Sequence, residues 1–218
     1  MGKYETTMSG AAITSTLTQM SMIGDIGKEI LREFGIKKID VKREYSFKIR
    51  GSIHSETRKR FGKEALYFYG CTMMDGYKKV REEKGAFKAD NFYYKNLEMV
   101  NHKNAQTARK FRNMYFKIFL QELGDMTKAT IFTPVDNMVG TSMRILDKDK
   151  IEFSLTNAVL LENEIFNRGM IFDMLTVLGG KWNFNIKFIK SKSKQDPRGW
   201  CKFTWIIDFK FNKEKVDP

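Results

Sequence analysis

Few side chains in this sequence are of types that do chemistry: two histidines, two cysteines, and an excess of basic over acidic residues. His102 closes the run Met99-Val100-Asn101-His102 at the end of an apolar helix face. A neutral imidazole there can ligate a metal or a haem iron, or simply finish the helix as a polar residue. His54 stands among Ser52, Ser55 and Glu56. Ser–His–acid chemistry needs three groups held in geometry, which closeness in sequence does not supply. Cys71, between Tyr69 and Met73, reads as a small core residue, and Cys201 alternates inward with Phe203 and Trp205. No C-x-x-C pair occurs, and two cysteines with two histidines so spaced make a poor zinc set, so no metal site is expected. Paired carboxylates, a glycine-rich phosphate loop and a nucleophile elbow are all missing, which leaves an enzyme as the least supported class.

The basic residues form the other chemical feature. Lys+Arg number 39 against 26 Asp+Glu, a formal charge of +13. From His102 to Gln121 there is no acidic residue; Lys103, Lys110 and Lys117 recur every seven positions, with Arg109 and Arg112 beside them. Together with Lys190, Lys192, Lys194 and Arg198 they are the residue types that neutralise phosphates, each contact steepening the salt dependence of nucleic-acid binding. A merely solvated cationic face has the same composition.

Hydropathy periodicity supplies the elements that must position these groups. Residues 164–178 are apolar on nearly every side and stop at Gly179-Gly180, since glycine leaves a helix in the left-handed region without penalty. Trp182, Phe184, Ile186 and Phe188 alternate, and after a polar loop over 190–199 so do Cys201, Phe203, Trp205, Ile207, Phe209 and Phe211. Val139 to Ile145, the polar turn Asp147-Lys148-Asp149-Lys150 and Ile151 to Leu155 spell a β-hairpin. The C-terminal half thus predicts an antiparallel four-stranded β-β-α-β-β sheet covered by helix 164–178.

The N-terminal half predicts helices over 10–22, 25–34 (capped by Asp25, stopped by Gly35), 45–61 (broken at Gly62), 63–80, 90–102 and 102–121, the last ending near Gly124. Helix 45–61 has Phe47, Ile49, Ile53, Thr57 and Phe61 inward and Lys48, Arg50, Arg58, Lys59 and Arg60 outward. Ala108, Phe111, Tyr115 and Ile118 mark the apolar side of the last helix. Residues 1–8 read as a frayed tail, 36–42 as an extended connector and 127–133 as a short strand. The fold class is α+β, one domain over 1–218, with a helical subregion about 9–124, an α+β subregion about 136–212 and a seam near 125–138. A content of 42% hydrophobic and 13% aromatic residues supports a buried core. No run approaches the roughly 18 apolar residues of a membrane span, and the sparse cysteines suit a reducing, cytoplasmic setting. The start Met1-Gly2-Lys3-Tyr4-Glu5-Thr6 fits the loose myristoylation pattern.

Gly10-Ala-Ala-Ile-Thr-Ser-Thr-Leu17, Arg60-Phe-Gly-Lys-Glu-Ala-Leu-Tyr67 with Gly70, and the closing Gly199-Trp-Cys-Lys-Phe-Thr-Trp205 together resemble the H-NOX-like and 4-vinyl-reductase-like domains. The resemblance covers most of the chain and implies a sensor module holding a small hydrophobic ligand between helices and sheet. The related TRAPP subunits imply instead an assembly role and an enclosed acyl chain, with Cys71 as an acylated or reactive thiol. The cysteines of metal-binding members are missing apart from Cys201, and no Tyr-x-Ser-x-Arg follows His102, so no cofactor is expected and haem through His102 is a minority reading.

The function expected is therefore non-enzymatic: binding of a small hydrophobic molecule, or sensing through a docked protein partner, with a homodimer as a further option. Candidate pocket residues are Phe68, Cys71, Met74, Met143, Phe166, Met170 and Trp205; methionines such as these either line an adaptable cavity or fill the core. The first alternative is nucleic-acid binding by helix 103–117 and loop 190–198. The second is a structural assembly subunit without ligand.

Overall fold

In a computed structural model the chain is described over residues 7–20, 25–72, 92, 95–100, 102–130, 141–147, 149–157, 159–178, 182–195 and 201–211. Strand β1 (Thr7–Ser9) pairs antiparallel with β2 (Glu44–Ser46), Met8 opposite Tyr45. Residues 7 and 8 are thus strand rather than tail, and Tyr45 belongs to a strand rather than opening a helix. Both corrections have one cause: each strand is stabilised by a partner distant in sequence, which local periodicity cannot reveal.

Helix α1 (Gly10–Met20) is rich in threonine, a residue that usually competes with helix formation. Here Thr14, Thr16 and Thr18 turn their hydroxyls back onto the carbonyls of Gly10, Ala12 and Thr14 at 2.8, 3.0 and 2.9 Å. Helix α2 (Ile26–Glu33) buries Ile26, Ile30 and Leu31, and Gly35 follows it at φ 68°. Asp25 makes no side-chain cap bond; its carboxylate pairs with Lys28 at 2.8 Å instead.

Helix α3 (Lys48–Thr72) is kinked at Gly62, whose φ of 87° suits glycine alone among common residues. The kink turns Phe61 outward, 50% exposed, where periodicity expects it inside. Arg50 reverses in the other direction: expected on the outer face, it is 1% exposed. The buried set Ile49, Arg50, Ile53, His54 and Thr57 shows why, because the inward stripe is centred between 49 and 50. After a short α4 (Leu97–Val100) comes α5 (Ala105–Thr130), which Asn104 caps by accepting from the amides of Gln106 and Thr107 at 2.9 and 3.2 Å. It runs past Gly124 and takes in residues 127–130, which alternation assigns to a strand. Residues 73–91 and 131–140, which carry the end of the expected helix 63–80 and half of the expected seam, lie outside the described residues.

The sheet contains β3 (Thr141–Asp147), β4 (Lys150–Asn157), β5 (Trp182–Phe188), β6 (Lys194–Gln195) and β7 (Cys201–Phe211), while α6 (Glu164–Leu178) connects β4 to β5. Its order is β3-β4-β7-β5, all neighbours antiparallel, with β6 also on β7. The fifth strand is the departure from four: Lys194 and Gln195 pair with Lys202 and Cys201 inside what reads as a polar loop. On the inner face Ile151, Phe153, Leu155, Phe203, Trp205, Ile207 and Phe209 are each at most 2% exposed. Each such side chain contributes about 1.5–3 kcal/mol of burial. Helix α6 covers this face through the Trp205 indole, which donates to Glu164 at 2.5 Å, and α5 through Phe116 and Phe119 against Phe209. The fold is α+β with its helices mostly in the N-terminal half, as the periodicity indicates.

Candidate functional site

Ala105, Arg109, Arg112, Asn113 and Phe116 follow one another at helical spacing and share one face of α5. Across from them stand Ile145, Leu146 and Asp147 of β3, and between helix and strand lies a cleft of about 530 Å³. Three consecutive strand residues line it because the β3–β4 register shifts between Ile145 and Asp147; such a bulge re-aims side chains that would otherwise alternate. Phe116, 2% exposed, and half-buried Ile145 make an apolar floor, and Leu146 lies at the rim. Arg109 is exposed and Arg112 half-buried, with its Nε shielded from solvent and holding no hydrogen bond. Neither guanidinium is in a salt bridge among the described residues. Two cations, Arg109 and Arg112, thus share a recess with the single carboxylate of Asp147.

The residues expected to line a pocket are placed elsewhere. Phe166, Met170 and Trp205 are at most 1% exposed and belong to the common core. Met143 is half-buried against it, Phe68 is 56% exposed on the surface, and Met74 lies outside the described residues. Half-buried Cys71 donates its thiol to the Gly169 carbonyl at 3.4 Å. None of the six described candidates lines the α5–β3 cleft.

Phe166 and Cys71 mark instead the seam between α3 and α6. A Cβ on Gly70 would lie 2.1 Å from the Phe166 carbonyl oxygen, and one on Gly169 2.1 Å from that of Tyr67. The two helices touch backbone to backbone. The Phe166 ring lies 4.2 Å from the His54 ring and 5.2 Å from Tyr69, and the Arg50 guanidinium is 5.2 Å from its centroid. His54 is fully buried, and neither ring nitrogen has a hydrogen-bond partner. No Ser–His relay is therefore assembled with Ser52 or Ser55. Burial, and then the Arg50 charge, hold the His54 pKa well below its usual range, so the ring is neutral. Burial also pushes the Tyr69 phenol up to about 12.

The basic candidates divide between two faces. Lys110 and Lys117 are exposed on α5, which packs on the inner face of the sheet, and exposed Lys103 stands just before it. Lys190, Lys192 and Lys194 are exposed beside the outer face, where the Thr204 amide donates to Ser193 Oγ at 3.0 Å. Lys192 is paired with Glu152, which Arg144 also holds at 3.3 Å. The Lys192 hydrogen bond, more than Arg144, keeps the Glu152 carboxyl below its usual range. Arg198 lies outside the described residues. His102 is exposed, its Nδ1 accepting from the Asn104 amide at 3.1 Å, and is not a cleft residue. Among the described residues no three His, Cys, Asp or Glu side chains cluster to hold a metal, and no helix is long and apolar enough to cross a membrane.

Sequence reasoning assigned Arg109 and Arg112 to the basic face but missed the cleft they enter. The available signal was the stripe 105-109-112-116, in which arginines occupy positions continuous with a buried phenylalanine. The wall from β3 gave none, because a bulge has no fixed sequence mark.

No family model matches the chain, and no curated protein matches it. Solved structures do. A single-substitution mutant of T. Tengcongensis H-NOX is similar with a TM-score of 0.57 at 16% identity, covering 94% of this chain and 100% of that one. A structure probing heme distortion in the H-NOX family has a TM-score of 0.57 at 14% identity, covering 97% and 100%. A Cs H-NOX mutant has a TM-score of 0.54 at 14% identity, covering 94% and 98%. The chain has a distant H-NOX-like fold.

Proposed function

We propose that this chain is a non-enzymatic ligand-binding domain, a sensor that holds a small molecule in the α5–β3 cleft and signals through a docked partner. The observation carrying the reading is the cleft itself: about 530 Å³ between a helix and the sheet, apolar at its floor and polar on its walls. Ligand sites generally combine an apolar lining with a few convergent polar groups in this way. The proposed pocket keeps to the space between helices and sheet, on the α5 side and apart from the candidate residues named from sequence.

Heme is named for one of the structurally similar proteins, so its fit to this chain is a fair question. An iron ligand in the cleft would have to be His, Cys, Tyr or Met, and none of these lines it. His102 lies outside the lining, and His54 is packed against Phe166 and Tyr69. The described residues do not fit a haem in this cleft, and nothing below depends on one.

Native mass spectrometry of the purified protein tests the proposal. We expect a species heavier than the polypeptide that reverts to the bare mass on denaturation. A bare native mass, together with failure to bind any apolar fluorescent probe, would remove the reading. A stable dimer of bare chains would favour the assembly role instead. The nucleic-acid reading loses support because its two basic groups flank opposite faces of the sheet.

A further inference from the structure

We infer that the cleft selects a small organic acid: a molecule with one anionic head group and an apolar body. This rests on the cleft being the ligand site and names the chemistry of what enters it. Arg109 and Arg112 lie on one face of α5 within one turn of each other, and both line the cleft. Neither is neutralised by a carboxylate among the described residues, whereas Arg60, Arg144 and Arg168 all are. The Nε of Arg112 is buried without a hydrogen bond, a donor that a bound anion would satisfy. Guanidinium groups present paired donors that match the oxygens of a carboxylate, sulfonate or phosphate.

The remaining lining fixes the rest of the molecule. Phe116, Ile145 and Leu146 offer apolar surface next to the arginines, which suits a hydrocarbon or aromatic body more than a bare inorganic anion. The site therefore favours one charge at the α5 end and an uncharged body reaching toward β3.

A matched pair of dyes separates these statements: anilinonaphthalene sulfonate and phenylnaphthylamine share an aromatic body and differ in the sulfonate. The wild-type protein should bind the sulfonate about ten-fold or more tightly, the scale of a charge-assisted hydrogen bond. In the double variant Arg109→Gln/Arg112→Gln that preference should fall to about two-fold or less, while affinity for the neutral dye is kept. A triple variant Lys103→Gln/Lys110→Gln/Lys117→Gln removes more charge, all of it from exposed positions on α5 or just before it, and should keep the preference. Equal binding of both dyes by the wild-type protein would overturn the inference yet leave a ligand site. So would a loss of preference in the lysine variant as large as in the arginine variant, since the effect would then be general charge. Binding of neither dye would overturn both this inference and the proposed function.

Discussion

At the α3–α6 seam and at the α5–β3 cleft a helix meets a neighbouring element, and the two contacts have opposite character. In the seam, glycine at 70 and 169 lets backbones approach until a single added carbon has no room. In the cleft, arginines and a bulged strand occupy the facing positions, and a volume of about 530 Å³ stays open. The seam buries Arg50, His54 and Tyr69 around Phe166, placing polar groups where they shape the core and leaving the His54 nitrogens without partners. In the cleft neither Arg109 nor Arg112 is in a salt bridge among the described residues. A small side chain closes an interface and a long charged one props it open, so local residue size separates architecture from binding.

That contrast predicts where substitutions will hurt. Gly70→Ala or Gly169→Ala should destabilise by about 3 kcal/mol or more, because the carbonyl each Cβ would meet belongs to a backbone that cannot step aside without moving a helix. Chemical denaturation would show it as a lowered midpoint, and an unchanged midpoint would mean that the seam is not backbone-tight.

The next largest effect is a pH dependence. The folded state holds the His54 pKa well below 6.5, so in acid the unfolded chain takes up a proton that the folded one refuses. Stability from this group is complete above 6.5 and is lost as pH falls below it. His54→Leu should flatten that slope in a series of thermal melts across the acid range. If wild type and variant keep parallel profiles, the ring is not buried as described.

Glu164 should act with the opposite sign and more weakly. Burial raises its carboxyl above the usual value of 4.5 against the Trp205 hydrogen bond and the Arg168 charge, so its contribution is present in acid and lost as pH rises. Glu164→Gln keeps an acceptor for Trp205. It should raise the melting temperature slightly at neutral pH and leave it unchanged in acid; stabilisation in acid alone would reverse the assignment.

Smallest of all should be the effect of Arg109→Gln/Arg112→Gln on folding, about 0.5 kcal/mol or less, although it is the change expected to abolish anion preference. A large loss of stability here would make the cleft part of the architecture and erase the distinction from the seam.

The α+β class, the hairpin, the apolar helix at 164–178 and the breaks at Gly35 and Gly62 were legible in sequence, because period-two alternation, a 3.6-residue stripe and glycine's freedom at positive φ act over a few residues. Less was legible of the site. Phe166, Met170 and Trp205 were named as pocket residues and are buried in the core, because inward-facing residues fill a core unless a neighbour holds it open, and periodicity does not report the neighbour. Arg109 and Arg112 were visible as charges, but nothing local distinguishes an arginine in a cleft from one in solvent.

The sequence by itself determined which residues share a face along each element, since side-chain direction follows from local backbone geometry. Tertiary structure alone decided the β1–β2 pairing, the burial of Arg50 and His54, and which helix closes on its neighbour and which stands away. Those outcomes depend on residues far apart in the chain meeting across a contact, where the space between them is set by both sides at once.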